Sequence, residues 1–366
     1  MDIKQSPNLD AITRQFNIPG DFISGEPCGN GHINDTFRVT VNQGGACVNY
    51  ILQRVNTNVF KNVAALMDNI CRVSAHINAK LAGQPDFTRR VLTPITTRNG
   101  QLFFPNGNGC WRAYVYIEKA RTMELIESPK QAFEAARSFG QFQKLLADLP
   151  APRLHDTIPD FHHTPKRFER LETAIKNDSA GRVRLAGPEI DFAIQRNPIT
   201  RVLLDACLPE RVTHNDTKLN NILFDETTGE GICIIDLDTV MPGLALYDFG
   251  DMVHTMTSPA AEDERDLSKV EMRLPMFEAL ARGYLAATGD FLTRDEKDLL
   301  AFSGKLITFE IGIRFLTDFL EGDPYFKIHR DGHNLDRART QFKLVESIER
   351  QEGKMKKLIE TSAKLN

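Results

Sequence analysis

Short apolar segments separated by turn-forming residues dominate the first third of the chain. Residues 37–41 and 48–55 are rich in β-branched and aromatic side chains, and the Asn and Gly residues at 42–45 predict a hairpin between them. Apolar residues recur at helical spacing within 59–81, which predicts a single helix there. The predicted strands of this region are 37–41, 48–55, 90–95, 101–104 and 111–117. The pattern therefore indicates a β-rich lobe with one helix.

The rest of the chain has longer segments with an apolar residue at every third or fourth position, a pattern typical of helices. The predicted helices are 129–146, 188–204, 270–287, 294–320 and 334–365. Two short strands, 221–224 and 232–235, interrupt them and are joined by a turn at 226–231. The sequence thus predicts an α+β, protein-kinase-like fold of two lobes, residues 1–118 and 119–366. The crevice between the lobes is the expected ligand site.

Composition and charge argue against some classes of binding partner. The chain has 366 residues, of which 41% are hydrophobic and 26% are charged, as is typical of a globular protein. Its net charge of −4 comes without a run of Lys or Arg, which argues against nucleic-acid or membrane-surface binding. No segment approaches the roughly 20 apolar residues of a membrane span, and the first residues lack the apolar core of a signal peptide. We expect a cytoplasmic protein, a monomer or weak dimer, that acts on small molecules.

The segment 213–223, Thr-His-Asn-Asp-Thr-Lys-Leu-Asn-Asn-Ile-Leu, carries the clearest chemical signal. Four residues separate Asp216 from Asn221, just ahead of a predicted strand, and this is the spacing of a kinase catalytic loop. Phosphoryl transfer needs a carboxylate to orient the attacking hydroxyl and accept its proton. It also needs oxygen ligands that hold Mg²⁺ against the phosphates of ATP. Asp216 suits the first task and Asn221 the second.

Two further acidic residues follow at informative positions. Asp236 ends the next predicted strand, and a hairpin would bring it back beside the catalytic loop as a second Mg²⁺ ligand, with Asp238 as an optional helper. Asp248 opens a helix and either binds metal or accepts from backbone amides of the catalytic loop. The second role is favoured, because Asp236 already fills the metal position. Each residue alone has an ordinary explanation as a turn former or helix cap, but their order and spacing together favour a kinase.

The segment 24–36 is interpreted as a turn between strands, rich in Gly and Asn. Gly29, Gly31, His32 and Asn34 are its candidates for nucleotide binding, because glycines let backbone amides approach phosphates closely. The signal is weak by itself, since many hairpins have this composition. A Gly-x4-Gly-Lys-Ser/Thr loop is absent, which excludes a P-loop kinase, and no Gly-x-Gly-x-x-Gly joins a strand to a helix, which disfavours a dinucleotide fold.

Four segments, 29–34, 50–53, 212–223 and 234–243, resemble a known family. They are similar to the aminoglycoside phosphotransferase and choline kinase superfamily and, within it, to the N-acetylhexosamine 1-kinases of bifidobacterial type. The resemblance runs nearly end to end and implies ATP- and Mg²⁺-dependent phosphoryl transfer to an alcohol. For the closer group it implies the anomeric hydroxyl of N-acetylglucosamine or N-acetylgalactosamine as the acceptor, with the sugar 1-phosphate and ADP as products.

The resemblance also carries over two substrate contacts near the C-terminus, Arg314 and Tyr325, beside the contact of Asp216 with the reacting hydroxyl. Arginine donates to sugar or acetamido oxygens, and tyrosine stacks or hydrogen-bonds. The ordinary alternative for Arg314 is an ion pair with Glu310 or Asp318, four residues away on a helix. For Tyr325 it is a packed loop aromatic.

Gln53 occupies the strand position where protein kinases have a phosphate-binding lysine. The helix predicted at 59–81 contains Asp68 but no glutamate, so the usual Lys–Glu pair is missing. We expect the Gln53 amide, the glycine-loop backbone and Arg54 to hold the phosphates instead. Histidines 155, 162 and 163 lie in a connection that contains proline, and a surface or capping role is favoured over metal binding.

Two alternatives stay open. One is a kinase of another small alcohol, such as choline, homoserine, methylthioribose or an aminoglycoside, because the catalytic loop does not identify the acceptor. The other is a nucleotide-binding pseudokinase, an interpretation that the missing Lys–Glu pair invites. The presence of Asp216, Asn221 and Asp236 argues against it.

Overall fold

An antiparallel sheet makes up most of the N-terminal lobe. The computed structural model describes residues 7–29, 33–107 and 109–364. Its N-terminal strands are β1 Asp21–Pro27, β2 Asp35–Gln43, β3 Ala46–Val55, β4 Pro94–Ile95, β5 Phe104–Asn106 and β6 Gly109–Val115. Within the described residues they form one six-stranded sheet in the order β1-β2-β3-β6-β4, with β5 paired to β6. The hairpin predicted between β2 and β3 is confirmed, with Gln43 opposite Ala46 across its turn.

The strand β1 lies where the sequence predicts a turn, so that part of the prediction is wrong. Gly25 is inside β1, opposite Val39 of β2. A Cβ atom on Gly25 would lie 2.5 Å from Cδ1 of Leu9. The glycine therefore serves the close packing of a short helix, α1 Leu9–Thr13, on the strand, and not a change of chain direction.

The two strands predicted between the helix and β6 are largely wrong. Only the last two residues of 90–95 form a strand, and 101–104 overlaps β5 at Phe104 alone. Val91 is 4% exposed and packs into the hydrophobic core without a strand partner. An apolar run of this length signals burial, which an irregular segment also provides.

The helix of this lobe, α2 Val63–Leu81, is confirmed but begins four residues later than predicted. Asn62 sets its start, because the Asn62 Oδ1 atom accepts a hydrogen bond of 3.0 Å from the Ala65 amide. One face of α2 is buried, including Leu66, Met67 and Ile70. This face joins the core that also contains the helices of the second lobe.

The second lobe is mainly helical, as predicted. Its helices are α3 Pro129–Leu146, α4 Thr164–Asn177, α5 Gly187–Gln195, α6 Val202–Asp205, α7 Ala245–Met256, α8 Leu274–Thr288, α9 Arg294–Glu321 and α10 His333–Ala363. The bounds of α3 are those predicted, and the bounds of α9 differ by one residue. The helix predicted at 188–204 is interrupted by the tight turn Asn197–Arg201, because Pro198 has no amide hydrogen to donate. The helix α4 was not predicted.

Short strands position the candidate catalytic residues of this lobe. They are β7 Ala120–Arg121, β8 Arg211–Thr213, β9 Ile222–Asp225, β10 Gly231–Ile234 and β11 Met241–Gly243. The hairpin of β9 and β10 confirms the prediction, whereas β7, β8 and β11 were not predicted. β8 pairs with β11, and β7 pairs with β9, so both ends of the catalytic segment are fixed to other strands. The proposed boundary after residue 118 lies between β6 and β7.

Two glycines bring α7 and α9 into close contact. A Cβ atom on Gly250 of α7 would lie 2.6 Å from the Ser303 carbonyl oxygen, and one on Gly304 of α9 would lie 2.6 Å from Cγ1 of Val253. Both distances are shorter than van der Waals contact, so only glycine fits at either position. Among the described residues, the structure has no helix that is both long and apolar enough to cross a membrane.

Candidate active site

Asp216 lies in the loop that connects β8 to β9, with its side chain 27% exposed. The Asn221 Nδ2 atom donates to the Asp216 backbone carbonyl at 2.8 Å and to its Oδ2 atom at 3.1 Å. The Lys218 Nζ atom is 2.8 Å from Oδ1. The structure thus brings the predicted base and one predicted metal ligand into direct contact, and adds a lysine that the sequence analysis did not single out.

Asp248, at the start of α7, binds backbone amides of this loop through its side chain. Its Oδ2 atom accepts from the His214 amide at 2.9 Å and its Oδ1 atom from the Asn215 amide at 2.7 Å. Gln143 donates to the same carboxylate at 2.6 Å. The favoured structural role of Asp248 is confirmed, and it is 0% exposed, which leaves no room for a metal ion.

Asp251 makes the next contact along the loop. Its Oδ2 atom accepts from the Thr217 amide at 2.6 Å and from the Thr217 hydroxyl at 3.2 Å. Burial, and then the charge of Asp216, raise the pKa of Asp251 to about 6. Sequence analysis missed this role, although residues three apart on a helix share a face, which puts Asp251 beside Asp248.

The charge of Asp216 is stabilised by its neighbours. Burial by itself would raise the pKa of this carboxyl, but the adjacent Lys218 ammonium outweighs burial and holds it below its usual value. The Asn221 amide contributes to the same lowering. Asp216 is therefore a carboxylate at neutral pH, ready to accept a hydrogen bond from an alcohol.

Asp236 follows β10 and lies beside Asn221, because the Ile235 amide donates to the Asn221 carbonyl oxygen at 3.0 Å. Its backbone is left-handed, with φ of 56°. Asp236 is exposed at the surface, yet neighbouring protein atoms that displace its water and the charges of Asp238 and Asp216 raise its pKa to about 7. A divalent cation would relieve that repulsion.

The donor set fits Mg²⁺ held together with a nucleotide. Asn221 and Asp236 supply oxygen atoms, and Mg²⁺ commonly takes one or two protein oxygens with the rest from phosphate and water. Within the described residues there is no cluster of three or more His, Cys, Asp or Glu side chains that could bind a metal ion unaided. The pair therefore suits an ion that arrives with the phosphates.

Asp238 does not have the geometry of a helper ligand. Its Oδ1 atom is 2.6 Å from Nη1 of Arg112, and its Oδ2 atom accepts from Asn34 Nδ2 at 2.7 Å. Both carboxylate oxygens are thus engaged with the N-terminal lobe. Asn34, predicted to bind nucleotide, links Asp238 to the Asn56 amide, which donates to the Asn34 Oδ1 atom at 2.9 Å.

Of the other predicted nucleotide contacts, Gly29 follows β1 and Gln53 lies in β3. Gly29 is exposed with φ of 78°, which favours glycine, whereas Gly31 and His32 lie outside the described residues. The Gln53 amide is bound on both sides, because its Nε2 atom donates to the Thr36 hydroxyl at 2.9 Å and its Oε1 atom accepts from Arg112 Nε at 2.8 Å.

A buried arginine lies beside Gln53. Arg112 is 1% exposed and lies between Gln53 and Asp238. Arg54, an expected phosphate contact, donates from Nε to Asp35 Oδ2 at 2.8 Å. Sequence analysis missed Arg112 because its acidic partner is far along the chain.

A pocket beside α9 brings Arg314 and Tyr325 together. Its lining residues come from α4, α9 and the turn after α9, and they are Arg167, Arg170, Arg314, Thr317, Asp318, Tyr325 and Phe326. The Arg314 guanidinium lies 5.8 Å from the ring centre of Phe161 and 5.7 Å from that of Phe326. Tyr325 is 55% exposed, so it is not the packed aromatic of the alternative interpretation.

The two acids proposed as partners of Arg314 are engaged elsewhere. Glu310 binds His162 and Thr164. Asp318 accepts from the amides of Tyr325 at 2.8 Å and Phe326 at 3.0 Å. Asp318 thereby shapes the turn that presents Tyr325 to the pocket.

Two of the pocket arginines, Arg167 and Arg314, have no carboxylate partner among the described residues. Arg167 Nη2 donates to the Phe161 carbonyl at 3.0 Å, and its buried Nε atom has no hydrogen-bond partner within the described part of the chain. Burial and the nearby charge of Arg314 lower the pKa of Arg167. Arg170, by contrast, donates from Nε to Glu321 at 3.0 Å.

His162 links this pocket to the catalytic loop. Its Nδ1 atom is 2.9 Å from Glu310 Oε1 and its Nε2 atom 3.3 Å from the Asn215 carbonyl oxygen. The side chain is 3% exposed, so the surface or capping role is wrong for this residue. It is right for His163, whose Nδ1 atom accepts from the Lys166 amide at the start of α4.

Comparison with known families decides where the chain belongs. The Phosphotransferase enzyme family, APH, matches residues 24–294, which include the sheet, the catalytic loop and both predicted metal ligands. The chain belongs to this family. APH membership makes it a phosphotransferase and agrees with the superfamily resemblance of the catalytic segments.

Solved structures confirm the kinase-like fold of this APH chain. An aminoglycoside phosphotransferase from Alicyclobacillus acidocaldarius subsp. acidocaldarius superposes with a TM-score of 0.63 at 12% identity, covering 98% of each chain. A spectinomycin phosphotransferase, in complex with ADP and spectinomycin, has a TM-score of 0.59 at 13% identity over 94% of this chain and 97% of its own. A choline kinase from Cryptosporidium parvum has a TM-score of 0.54 at 15% identity over 94% and 95%. Identities this low show the fold alone.

Proposed function

We propose that this APH protein transfers the γ-phosphoryl group of ATP to the anomeric hydroxyl of N-acetylglucosamine or N-acetylgalactosamine, giving the sugar 1-phosphate and ADP. The observation that carries the proposal is Asp216, an ionised carboxylate hydrogen-bonded to Asn221 on a loop held by Asp248. This arrangement suits a base that orients an alcohol and accepts its proton. We further propose a cytoplasmic monomer or weak dimer that acts on small molecules.

Nucleotide use is supported by the fold and by the chemistry of the cleft. The spectinomycin phosphotransferase that shares the fold was solved with ADP. In this chain, Asn221 and Asp236 would hold Mg²⁺, which supplies positive charge against the phosphates during transfer. Lys218 is 2.8 Å from Asp216 and so stabilises the base in its charged form. Asp216 then needs only to receive the hydroxyl proton as the oxygen attacks phosphorus.

The charges of the acceptor pocket support a neutral acceptor with exposed oxygens. Arg167 and Arg314 bring two positive charges without carboxylate partners in the described chain, while the Asp318 carboxylate is occupied by backbone amides. A quaternary ammonium or an aminoglycoside would meet repulsion there. The carbonyl oxygen of an acetamido group can accept from Arg314, and the exposed Tyr325 ring offers a surface for a sugar.

A kinase of another small alcohol is the second candidate. Related folds include a choline kinase and a microcompartment-associated aminopropanol kinase, so the scaffold serves several acceptors. A pseudokinase is a weaker candidate, because Asp216, Asn221 and Asp236 lie together in the cleft.

An ADP-release screen tests the proposal. N-acetylglucosamine, N-acetylgalactosamine, glucosamine, glucose, choline and homoserine are offered separately with ATP and Mg²⁺, and Asp216→Asn serves as the inactive control. We expect turnover to be fastest with the two acetamido sugars, and phosphorus NMR to place the phosphate on the anomeric oxygen. A phosphate on the 6-hydroxyl, or a preference for choline or homoserine, would overturn the acceptor and leave the kinase intact. No ADP release with any acceptor would favour the pseudokinase.

A further inference from the structure

Both ring nitrogens of His162 face hydrogen-bond acceptors. Nδ1 is 2.9 Å from a carboxylate oxygen of Glu310, and Nε2 is 3.3 Å from the backbone carbonyl of Asn215. A neutral imidazole has one donor nitrogen and can satisfy only one of these acceptors. Both bonds form together only when the ring carries two protons, so the geometry specifies an imidazolium cation.

We infer that His162, as an imidazolium ion paired with Glu310, is a positioning residue that fixes the catalytic loop and sets an upper pH limit on phosphoryl transfer. The inference rests on the proposed kinase activity but holds for any alcohol acceptor. The carbonyl that His162 binds belongs to the peptide group leading into Asp216, and Asn215 has a left-handed φ of 65°. Asparagine adopts that conformation more readily than most non-glycine residues, and the contacts around Asn215 fix it.

The Asn215 peptides are held from opposite sides of the loop. Asp248 on α7 accepts from the Asn215 amide at 2.7 Å, while His162 donates to the Asn215 carbonyl. Loss of the second contact frees the peptide group that orients Asp216. Because small displacements of a reacting group cost large factors in rate, this loss should lower kcat with little effect on nucleotide binding.

Charged groups face the His162 ring from two helices among the described residues. Glu310 and Arg314 face His162 from α9, Asp251 faces it from α7, and the Tyr247 ring centre lies 5.0 Å away. Burial and Arg314 disfavour the cation, but the Glu310 and Asp251 charges outweigh them, so the pKa of His162 is raised. Conversely, although burial would raise the pKa of Glu310, the His162 charge lowers it.

The sign of the pH effect follows from this pairing. His162 keeps its second proton to a higher pH than an ordinary histidine, and the contact with Asn215 is intact below that raised pKa. As the pH rises through the raised pKa, the ring becomes neutral, keeps its Glu310 bond and gives up the weaker carbonyl contact. The kcat of the protein should therefore decline on the alkaline side.

The test uses Glu310→Gln, which removes the charge while keeping the shape. Thr164 remains in place beside it, since its hydroxyl binds the other oxygen of Glu310 at 2.6 Å. We expect the alkaline decline of kcat to move to lower pH by about one unit or more, while KM for ATP stays within about twofold. The matched control is Glu296→Gln, the same change at a second fully buried glutamate of α9, which binds Arg211 instead.

Two further measurements separate positioning from simple loss of structure. In the wild-type protein, NMR of labelled histidine should show His162, assigned by its absence in His162→Gln, doubly protonated at pH 7. In Glu310→Gln the same resonance should titrate at lower pH. Superposable kcat profiles for wild type and Glu310→Gln, or a neutral His162 at pH 7, would overturn the inference. The NMR result does not depend on the acceptor, so a wrong sugar assignment and a wrong role for His162 are distinguishable.

Discussion

The Nη1 atom of Arg112 lies 2.6 Å from Oδ1 of Asp238, and the two side chains are 1% and 3% exposed. Arg112 belongs to β6 of the sheet, whereas Asp238 follows the hairpin of the helical lobe. This ion pair therefore joins the two lobes directly behind the proposed metal site. Protein kinases, by contrast, pair a lysine and a glutamate within one lobe.

Removal of both partners of this pair should cost less unfolding free energy than the two single removals add up to. Arg112→Met leaves Asp238 as an uncompensated buried charge, which costs about 3–5 kcal/mol of unfolding free energy. Asp238→Asn should cost a similar amount for the converse reason. We expect the double variant to be more stable than the sum of the single changes predicts, by about 1–3 kcal/mol in urea unfolding. Strict additivity would show that the pair contributes no coupling.

Asp216→Asn keeps the shape of the side chain and removes the proton acceptor. Turnover should fall on the order of 100- to 10,000-fold, while the Kd for ATP measured by calorimetry changes little. Turnover close to that of the wild type would remove Asp216 from the role of base.

Asp236→Ala should abolish Mg²⁺-supported activity, with a loss on the order of 1,000-fold or more, because no nearby carboxylate is free to replace it. Asp238 is held by Arg112 and Asn34, so it cannot move to the metal without breaking both contacts. The effect of Asp238→Asn should therefore appear mainly as a lower Tm. Kinetics against Mg²⁺ concentration, with Tm measured in parallel, distinguish the two. A greater loss of Mg²⁺ affinity in Asp238→Asn would reverse the ligand assignment.

Arg314→Ala and Tyr325→Ala should raise the KM for the acceptor or lower kcat/KM without changing ATP binding, since both side chains line the pocket beside α9. We expect losses of about 10- to 100-fold for Arg314, which would lose one or two hydrogen bonds to the acceptor. Arg170→Ala is the matched control, because Arg170 lines the same pocket but is bound to Glu321. Equal effects of all three changes would indicate a general loss of pocket structure.

His254 of α7 should make the free energy of unfolding depend on pH. Burial, then the charges of Lys218 and Arg314, lower the pKa of His254 to about 3, and its Nδ1 atom has no partner in the described part of the chain. Below about pH 6.5 the His254 ring becomes protonated in the unfolded chain but stays neutral in the folded protein. Stability therefore falls with falling pH, by at most about 1.4 kcal/mol per unit from this group. His254→Gln should flatten that slope in urea unfolding between pH 7 and 5, and an unchanged slope would contradict the assignment.

The catalytic segment could be predicted because its information is local. The spacing of Asp216 and Asn221, and the strand that ends at Asp236, are each written within a few residues, and a hairpin is enough to bring them together. The long helices α3 and α9 were predicted for the same reason. Their apolar periodicity and their capping residues, Ser128 and Thr293, are contiguous in the chain.

The contacts that sequence reasoning missed are long-range. Glu310 lies 148 residues after His162, and nothing near either residue indicates the other. Sequence reasoning missed Arg112 for a second reason as well. Residues 111–114 of β6 are buried on both faces, so the strand shows no alternation that would mark Arg112 as an inward-facing charge. The helix α4 was missed because its sequence is mainly polar and its buried face is small. That face includes Phe168 and Leu171.

The glycine contacts between α7 and α9 determine how far the base is from the acceptor pocket. Gly250 lies between Asp248 and Asp251, which hold the catalytic loop, and α9 carries Arg314. The distance between the two helices is therefore set by the approach of Gly250 to the Ser303 backbone and of Gly304 to the Val253 side chain. In the proposed acceptor pocket, changes at Arg314, Tyr325 or Phe326 would alter which molecule is accepted while its reacting hydroxyl stays at the same reach from Asp216. New acceptors can thus evolve on this scaffold by local changes that leave the phosphoryl-transfer machinery untouched.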